Sequence, residues 1–521
     1  MKIYEGTFYD QLREAERRYS TKTALICEEK RLTYHQLLRM SENAAVKLCG
    51  SGLKRGDRVV IWGSNSLEWV IAFYAVTIAG GTAVLMNYGV RAEEAGAMAK
   101  MVNAAMLLYG HSHTLINHPD SLNVMIHTAE IRPQHVIPFS ALIQNEAAAD
   151  DFSLLSDRQI QSRETQVIIF TTGTTSRPKA VQLSAYSILN DAIAAYEMFE
   201  GNVGKCTCNA LPLFHSYGLI VLQVYLYCGR TVCLMPEIKA EIIADLVKAG
   251  VTDDMASVGA VYAMLTRLPD FSKNVSGRLK LCIVGGGFTA PEEMVRLERA
   301  FDGAWILCGY GQTECSPVIS VEVPEDPLSL RSDSVGHILP ELDVRIWQKE
   351  KGEVPTGETG EIIVKGYCTM NGYDGESAED DPFDENGYLH TGDIGYLTED
   401  GMLHLTGRMK EIIVRCGENV SPTEVEQALL SIEGIRAAKV MGAFHEIWGE
   451  SVEACVMTES LPKDEKEAEQ TIQNALREKL SSYKVPSHIL FFESFPMTST
   501  GKIDSRKLKA ILSKRLKPFE K

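Results

Sequence analysis

The stretch TTGTTSRPKA, from Thr171 to Ala180, places four threonines, a serine and a lysine around one glycine, directly after the apolar run QVIIF. Hydroxyls, backbone amides and a mobile ammonium at such spacing are groups that hold phosphate oxygens. The NTPase loop GxxxxGK[ST] is one candidate for this chemistry. Counted from Gly173, however, Pro178 stands where the second glycine belongs, and Ala180 where a Mg²⁺-binding hydroxyl belongs. Proline has a fixed φ and no N–H to give, so that cradle of amides cannot form. The chain continues through VQLS before a helix expected from about Ala185 to Phe199, so the loop must lead into a strand. Its contacts must come from hydroxyls, backbone amides and Lys179.

A second glycine-rich run, GGGFTA from Gly285 to Ala290, reads as GxGxxA between a strand, LKLCIV, and a helix, PEEMVRLERAF. A dinucleotide site also needs an acid at the end of the next strand to hold a ribose. That strand is AWILCGYG, which ends without one. Three further runs hold candidate groups. They are Thr313 and Glu314 in GYGQTE (309–314), Asp393 in HTGDIG (390–395), and Lys502 in PMTSTGK (496–502). Taken singly, each has a plain reading, as a solvated acid, a turn cap or an exposed lysine.

TTGTTSRPKA, GYGQTE, HTGDIG, GRMKEIIVRCGENVSPTEVE (407–426) and PMTSTGK occur in the order and at the spacings of the adenylate-forming superfamily, and the chain resembles it over essentially its whole length. That superfamily comprises acyl-CoA synthetases, luciferases and peptide-synthetase adenylation domains, and this chain is most similar to a fatty- or aryl-acyl-CoA synthetase. The resemblance implies ATP-dependent activation of a carboxylic acid to an acyl-adenylate, then thioester formation with CoA, with Mg²⁺ as cofactor. The alternatives are loading of a carrier protein's phosphopantetheine arm, and a non-catalytic nucleotide-binding relative. A carboxylate attacking a phosphate brings two anions together, so positioning and positive charge must dominate catalysis.

Carried over by resemblance, Thr171, Thr172, Gly173, Thr174, Thr175 and Lys179 hold phosphates, Glu314 holds Mg²⁺, and Thr313 offers a hydroxyl to the α-phosphate. Gly285, Gly286 and Gly287 line adenine on one side, Tyr310 covers its other face, and Gly311 belongs to the same ATP/AMP-binding set. Asp393 and Arg408 take the ribose. Lys502 bridges acid and AMP phosphate, Lys410 is the hinge, and Arg415, Gly417 and Glu418 face the thiol substrate. His215, Val258, Gly259 and Cys315 line the acyl pocket. Amino-acid-activating members carry an aspartate where His215 stands, which argues against an amino-acid substrate. The family's phosphate loop usually has serine, glycine and glycine where this chain has Thr172, Ser176 and Ala180, so contacts at 176 and 180 are the least transferable.

These groups need a scaffold. From residue 31 to 110, and again from CNALPLF (208–214) to AWILCGYG (304–311), short apolar strands alternate with helices, which indicates α/β architecture with mostly parallel sheets. After about Val335 the runs DVRIWQ, GEIIVKG and GMLHLTG suggest a β-rich subdomain, about 335–409, closing an N-terminal domain of 1–409. Residues 410–521 read as a small α+β domain, mobile about Lys410 as the resemblance implies, so the whole is expected to be α+β built on an α/β body. Its first helix should open with Ser421 as N-cap, Pro422 at N1 and Glu424 completing a capping box.

Composition narrows the partners. Lys and Arg total 52 against 69 Asp and Glu, a net charge of -17, which opposes binding to nucleic acid or an anionic membrane. The exception is 501–521, with eight basic residues against Asp504 and Glu520. The acidic run 376–387 reads as an exposed loop. Twelve cysteines without a CxxC pair fit reduced thiols and no zinc ribbon. The charged N-terminus reads as a helix rather than a signal peptide, and LIVLQVYLY is too short to cross a bilayer. The expectation is a cytoplasmic enzyme of a small-molecule acid, with oligomeric state open.

Overall fold

The computed structural model describes the chain except residues 111–119, 145–148, 156–157, 159, 173–177, 200–201, 288, 290, 376–380, 416–417, 446–448, 498–502 and 517–521. The alternating strands build two large sheets. In the first, six parallel strands lie in the order Trp305–Tyr310, Leu281–Val284, Asp254–Ser257, Cys206–Asn209, Thr231–Leu234 and Thr23–Cys27. Antiparallel strands close both sides: Lys30–Thr33 on one, Ser320–Val321 and His337–Ile338 on the other. The second sheet runs Thr165–Thr172, Thr82–Met86, Arg58–Trp62, Met106–Tyr109 and Val136–Pro138, all parallel.

Between the sheets lie helices apolar on every side, as burial from all directions requires. Leu67–Ile78 buries every residue but Glu68 and touches strands of both sheets. Ser216–Tyr227 packs on the first sheet, and the Tyr74 hydroxyl donates to Gln223 Oε1 at 3.2 Å, joining the two helices inside the core. One continuous apolar cluster therefore spans the large domain.

The phosphate-loop candidate sits at a hairpin. Thr165–Thr172 pairs antiparallel with Pro178–Ser184, with Thr171 opposite Lys179, and the helix starts only at Ala185, where Ser184 caps it through Ser187. This strand-to-strand connection differs from the strand–loop–helix of an NTPase loop, in keeping with the strand read from VQLS.

Asp343–Gln348, Gly360–Lys365, Leu389–Leu397 and Leu403–Arg408, with the short Gly352–Glu353, form a five-stranded antiparallel sheet. The C-terminal part has its own sheet, led by the long hairpin Ile435–His445 and Gly449–Thr458, and its own apolar clusters. Its first helix, Pro422–Leu430, is capped by Ser421, whose hydroxyl accepts from Glu424 N at 3.4 Å and donates to Thr406 O at 2.5 Å. The reciprocal half of the expected capping box is replaced. Both Glu424 carboxylate oxygens take the Lys484 ammonium, at 2.6 and 2.8 Å, a charge-assisted pair stronger than a bond to one backbone N–H. Among the described residues, no helix is long and apolar enough to cross a membrane.

Candidate active site

Asp393 lies in Leu389–Leu397, directly opposite Arg408 in the neighbouring strand. Cross-strand neighbours stand close enough for their side chains to meet, and Arg408 Nε reaches Asp393 Oδ1 at 2.7 Å. The other carboxylate oxygen accepts from the Tyr310 hydroxyl at 2.9 Å. Asp393 is 3% exposed, and this burial raises its carboxyl above the ordinary aspartate value, with Arg408 and Tyr310 pulling in the opposite direction. Tyr310 is raised well above an ordinary phenol, first by burial and then by the Asp393 charge. The strand residues before Asp393 are held by Glu361, which accepts from Gly392 N at 3.0 Å and pairs with His390 Nδ1 at 2.7 Å.

A second group forms around Glu314. The Tyr373 hydroxyl donates to Glu314 Oε1 at 2.9 Å, and Lys179 Nζ lies 4.2 Å from the centre of the same phenol ring. The Thr313 and Ser216 hydroxyls meet at 3.2 Å, which sets Thr313 beside His215, the residue preceding the helix Ser216–Tyr227. The turn between Tyr310 and Thr313 needs Gly311, since a Cβ there would lie 1.9 Å from Pro317 O. Gly286 has φ +79°, and nothing lies within 4 Å of a Cβ built at Gly287, so that glycine borders open space. A single half-buried carboxylate at Glu314 fits Mg²⁺ arriving with substrate phosphates, a common way for this cation to be held.

Of the expected residues, Tyr310, Asp393 and Arg408 are brought together, as are Glu314 and Lys179 through Tyr373. His215 is half-buried with its ring 4.4 Å from that of Phe214. Val258 immediately precedes the helix opened by Gly259, and Cys315 is fully buried in the large core. Gly285 packs against the Tyr217 ring, and Thr171 faces Lys179 across the hairpin. The Arg415 guanidinium donates to Tyr483 O and Val485 O at 2.9 and 3.1 Å, within the small domain. Gly173, Thr174, Thr175, Gly417 and Lys502 lie outside the described residues, while Thr172, Lys410 and Glu418 are placed by backbone only.

Several positioning residues escape sequence reasoning. Asn65 donates to Leu211 O at 2.7 Å and accepts from Leu213 N at 2.9 Å, which fixes the segment leading to His215. Asp191, wholly buried, accepts from Val318 N at 3.0 Å. Tyr373 and Glu361 complete the set. Their partners lie 29 to 148 residues away, with no local pattern to mark them.

Curated relatives align along nearly the full chain. A putative acyl-CoA synthetase, YngI, of Bacillus subtilis is 27% identical, covering 97% of this chain and 96% of its own. A 2-succinylbenzoate–CoA ligase of Bacillus cereus is 29% identical over 94% and 96%. The mitochondrial medium-chain acyl-CoA ligase ACSF2 of Danio rerio is 28% identical over 96% and 87%. Among solved structures, the o-succinylbenzoate CoA synthetase of Bacillus subtilis with its acyl-adenylate shares the fold with TM-score 0.80, at 24% identity over 98% and 99%. The amide bond synthetase McbA of Marinactinospora thermotolerans does so with TM-score 0.86, at 23% identity over 97% and 99%. Residues 12–374 match the family model of the AMP-binding enzyme, and 424–502 match that of its C-terminal domain, so this chain belongs to the AMP-binding enzymes.

Proposed function

We propose that the chain is an AMP-forming carboxylic acid:CoA ligase, using ATP and Mg²⁺ to make an acyl-adenylate and then passing the acyl group to the CoA thiol. The observation that carries this reading is the pair of prepared carboxylates on one framework. Asp393, set between Arg408 and Tyr310, offers acceptors to a ribose, and Glu314, beside Thr313, offers an oxygen to a cation. Lys179 at the hairpin end takes the departing β- and γ-phosphates. Mg²⁺ would neutralise phosphate charge where the acid's carboxylate approaches. Thr313 donates its hydroxyl to the α-phosphate, and Lys502 supplies the ammonium that bridges the two anions, the largest electrostatic obstacle to the step.

The acid is medium-chain or aryl in this reading, from the relatives' substrates and from His215 standing where an α-ammonium would need a carboxylate. The fold also belongs to an amide bond synthetase, so fold alone does not select the acceptor. CoA is favoured by the acyl-CoA and 2-succinylbenzoate–CoA ligases among the relatives. The described cysteines are free, which suits a reducing compartment, here the cytoplasm.

The deciding experiment combines ATP, Mg²⁺ and a panel of fatty, aryl and short acids with either CoA or a carrier protein. Acid-dependent pyrophosphate exchange and a CoA thioester are expected. Thioester found only on the carrier would overturn the acceptor. ATP binding without exchange on any acid would mean a nucleotide-binding protein that does not catalyse.

A further inference from the structure

We propose that Tyr373 is a positioning residue that sets the metal-facing geometry of Glu314 and the waiting position of Lys179, which rests on the reading of Glu314 as the Mg²⁺ carboxylate. The phenol works at both ends. Its hydroxyl donates to Glu314 Oε1 at 2.9 Å, and its ring face carries the Lys179 ammonium at 4.2 Å. A carboxylate fixed through one oxygen presents the other in a set direction, as partners behind metal ligands commonly do. An ammonium over an aromatic face is attracted by the ring's negative face, which gives the Lys179 side chain a preferred position beside the phosphate loop.

The surroundings hold Tyr373 firmly. The two-residue strand Gly372–Tyr373 pairs antiparallel with Pro178–Ser184, the strand that carries Lys179, with Tyr373 opposite Val181. Asn371 N donates to Gln182 O and Asp374 N to Ala180 O, each at 2.8 Å. Asp374 is clamped in turn by Arg58, through Nη2 at 2.5 Å and Nη1 at 3.1 Å, and by Gln182 Nε2 at 3.2 Å. At the other end, Met370 N donates to the backbone oxygen of Glu314 at 2.9 Å. Residues 370–374 thus span from the backbone of the metal carboxylate to the strand of the phosphate lysine. The phenol thus touches the acid with its hydroxyl and the base with its ring face.

Tyr373→Phe separates the two roles, because it keeps the ring under Lys179 and removes only the hydroxyl on Glu314. Two readouts on the full chain test this: Mn²⁺ affinity by electron paramagnetic resonance in the complex with α,β-methylene-ATP, which cannot be adenylated, and affinity for that analogue in EDTA. Tyr373→Phe should lose roughly 10- to 100-fold in Mn²⁺ affinity, with analogue affinity in EDTA unchanged. Tyr373→Leu should lose both. A Tyr373→Phe protein with parental Mn²⁺ affinity overturns the proposal. Glu314→Gln distinguishes the failures: if it too binds Mn²⁺ as the parent does, the assignment of Glu314 falls and the proposal with it. If Glu314→Gln alone weakens binding, only the role of Tyr373 falls.

Discussion

Asp393 holds its charge under protest, since burial favours the neutral acid while Arg408 and Tyr310 favour the anion. Its raised pKa means that on acidification it loses the anion earlier than an ordinary aspartate. Affinity for ATP should therefore begin to decline at a pH above the usual carboxylate range, and Asp393→Asn should abolish that acid limb. The same variant gives up charge-assisted hydrogen bonds worth about 1.5–3 kcal/mol each, so its KM for ATP should rise roughly 10- to 100-fold, read by pyrophosphate exchange. At Glu322 burial wins by more. It is fully buried, Cys308 N donates to it at 2.7 Å, and burial pushes its carboxyl up to about 9. Between the ordinary glutamate value and 9 the folded chain keeps a proton that the unfolded chain has released. Stability should accordingly fall as pH rises through that window, by up to about 1.4 kcal/mol per pH unit. Glu322→Gln, neutral throughout, should remove this slope in urea unfolding at pH 6 and 8. At this scale the sequence is readable where a motif marks the residue, as for Asp393. It is silent where partners meet only in the fold, since Tyr373 stands 59 positions from Glu314 and appears in the chain as one more tyrosine in a polar turn.

The elements were largely legible. Apolar runs of four to six residues alternating with helical patterns became the parallel strands, because burial on both faces leaves no room for polar alternation. The run VQLS ahead of the helix foretold that the loop leads into a strand, while Pro178 excluded only the amide cradle of an NTPase loop. The capping box at Ser421 was half right, since local rules do not foresee that Lys484 reaches Glu424 from 60 residues away. Glycines likewise divide into two kinds that look alike in sequence. Gly311→Ala puts a methyl on the Pro317 carbonyl and should cost about 1–3 kcal/mol in denaturant unfolding, displacing Thr313 and Glu314 and lowering exchange activity. Gly287→Ala meets nothing and should leave Tm unchanged, yet raise the KM for ATP if adenine lies along that wall. Parallel losses in both variants would refute this division.

Across the whole molecule, apolar clusters segregate. Among the described residues the large-domain clusters end at Leu405, and those of the C-terminal part begin at Ile413. Between them run Arg408 and the short turn Met409–Glu411, where Glu411 faces Lys439 at 3.6 Å. Bodies with separate cores can in general reorient as units, and Arg408, proposed to contact the ribose, is the last strand residue before the connection. If adenylation and thioester formation use different orientations, Lys502 is needed only in the first. Lys502→Ala should then abolish acid-dependent pyrophosphate exchange but spare thioester formation from supplied acyl-adenylate. Equal loss of both would refute alternation.

The short strand that carries Tyr373 has a consequence apart from chemistry. It is the outermost strand of the seven-stranded sheet, whose opposite border, Val136–Pro138, has three residues; on the nine-stranded sheet His337–Ile338 has two. A border of two or three residues exposes too little backbone for a neighbouring molecule to add a strand. Protection against sheet-to-sheet aggregation is thus built into the same segment that hydrogen-bonds Glu314, and a variant that extended Gly372–Tyr373 into a long strand would lose that protection.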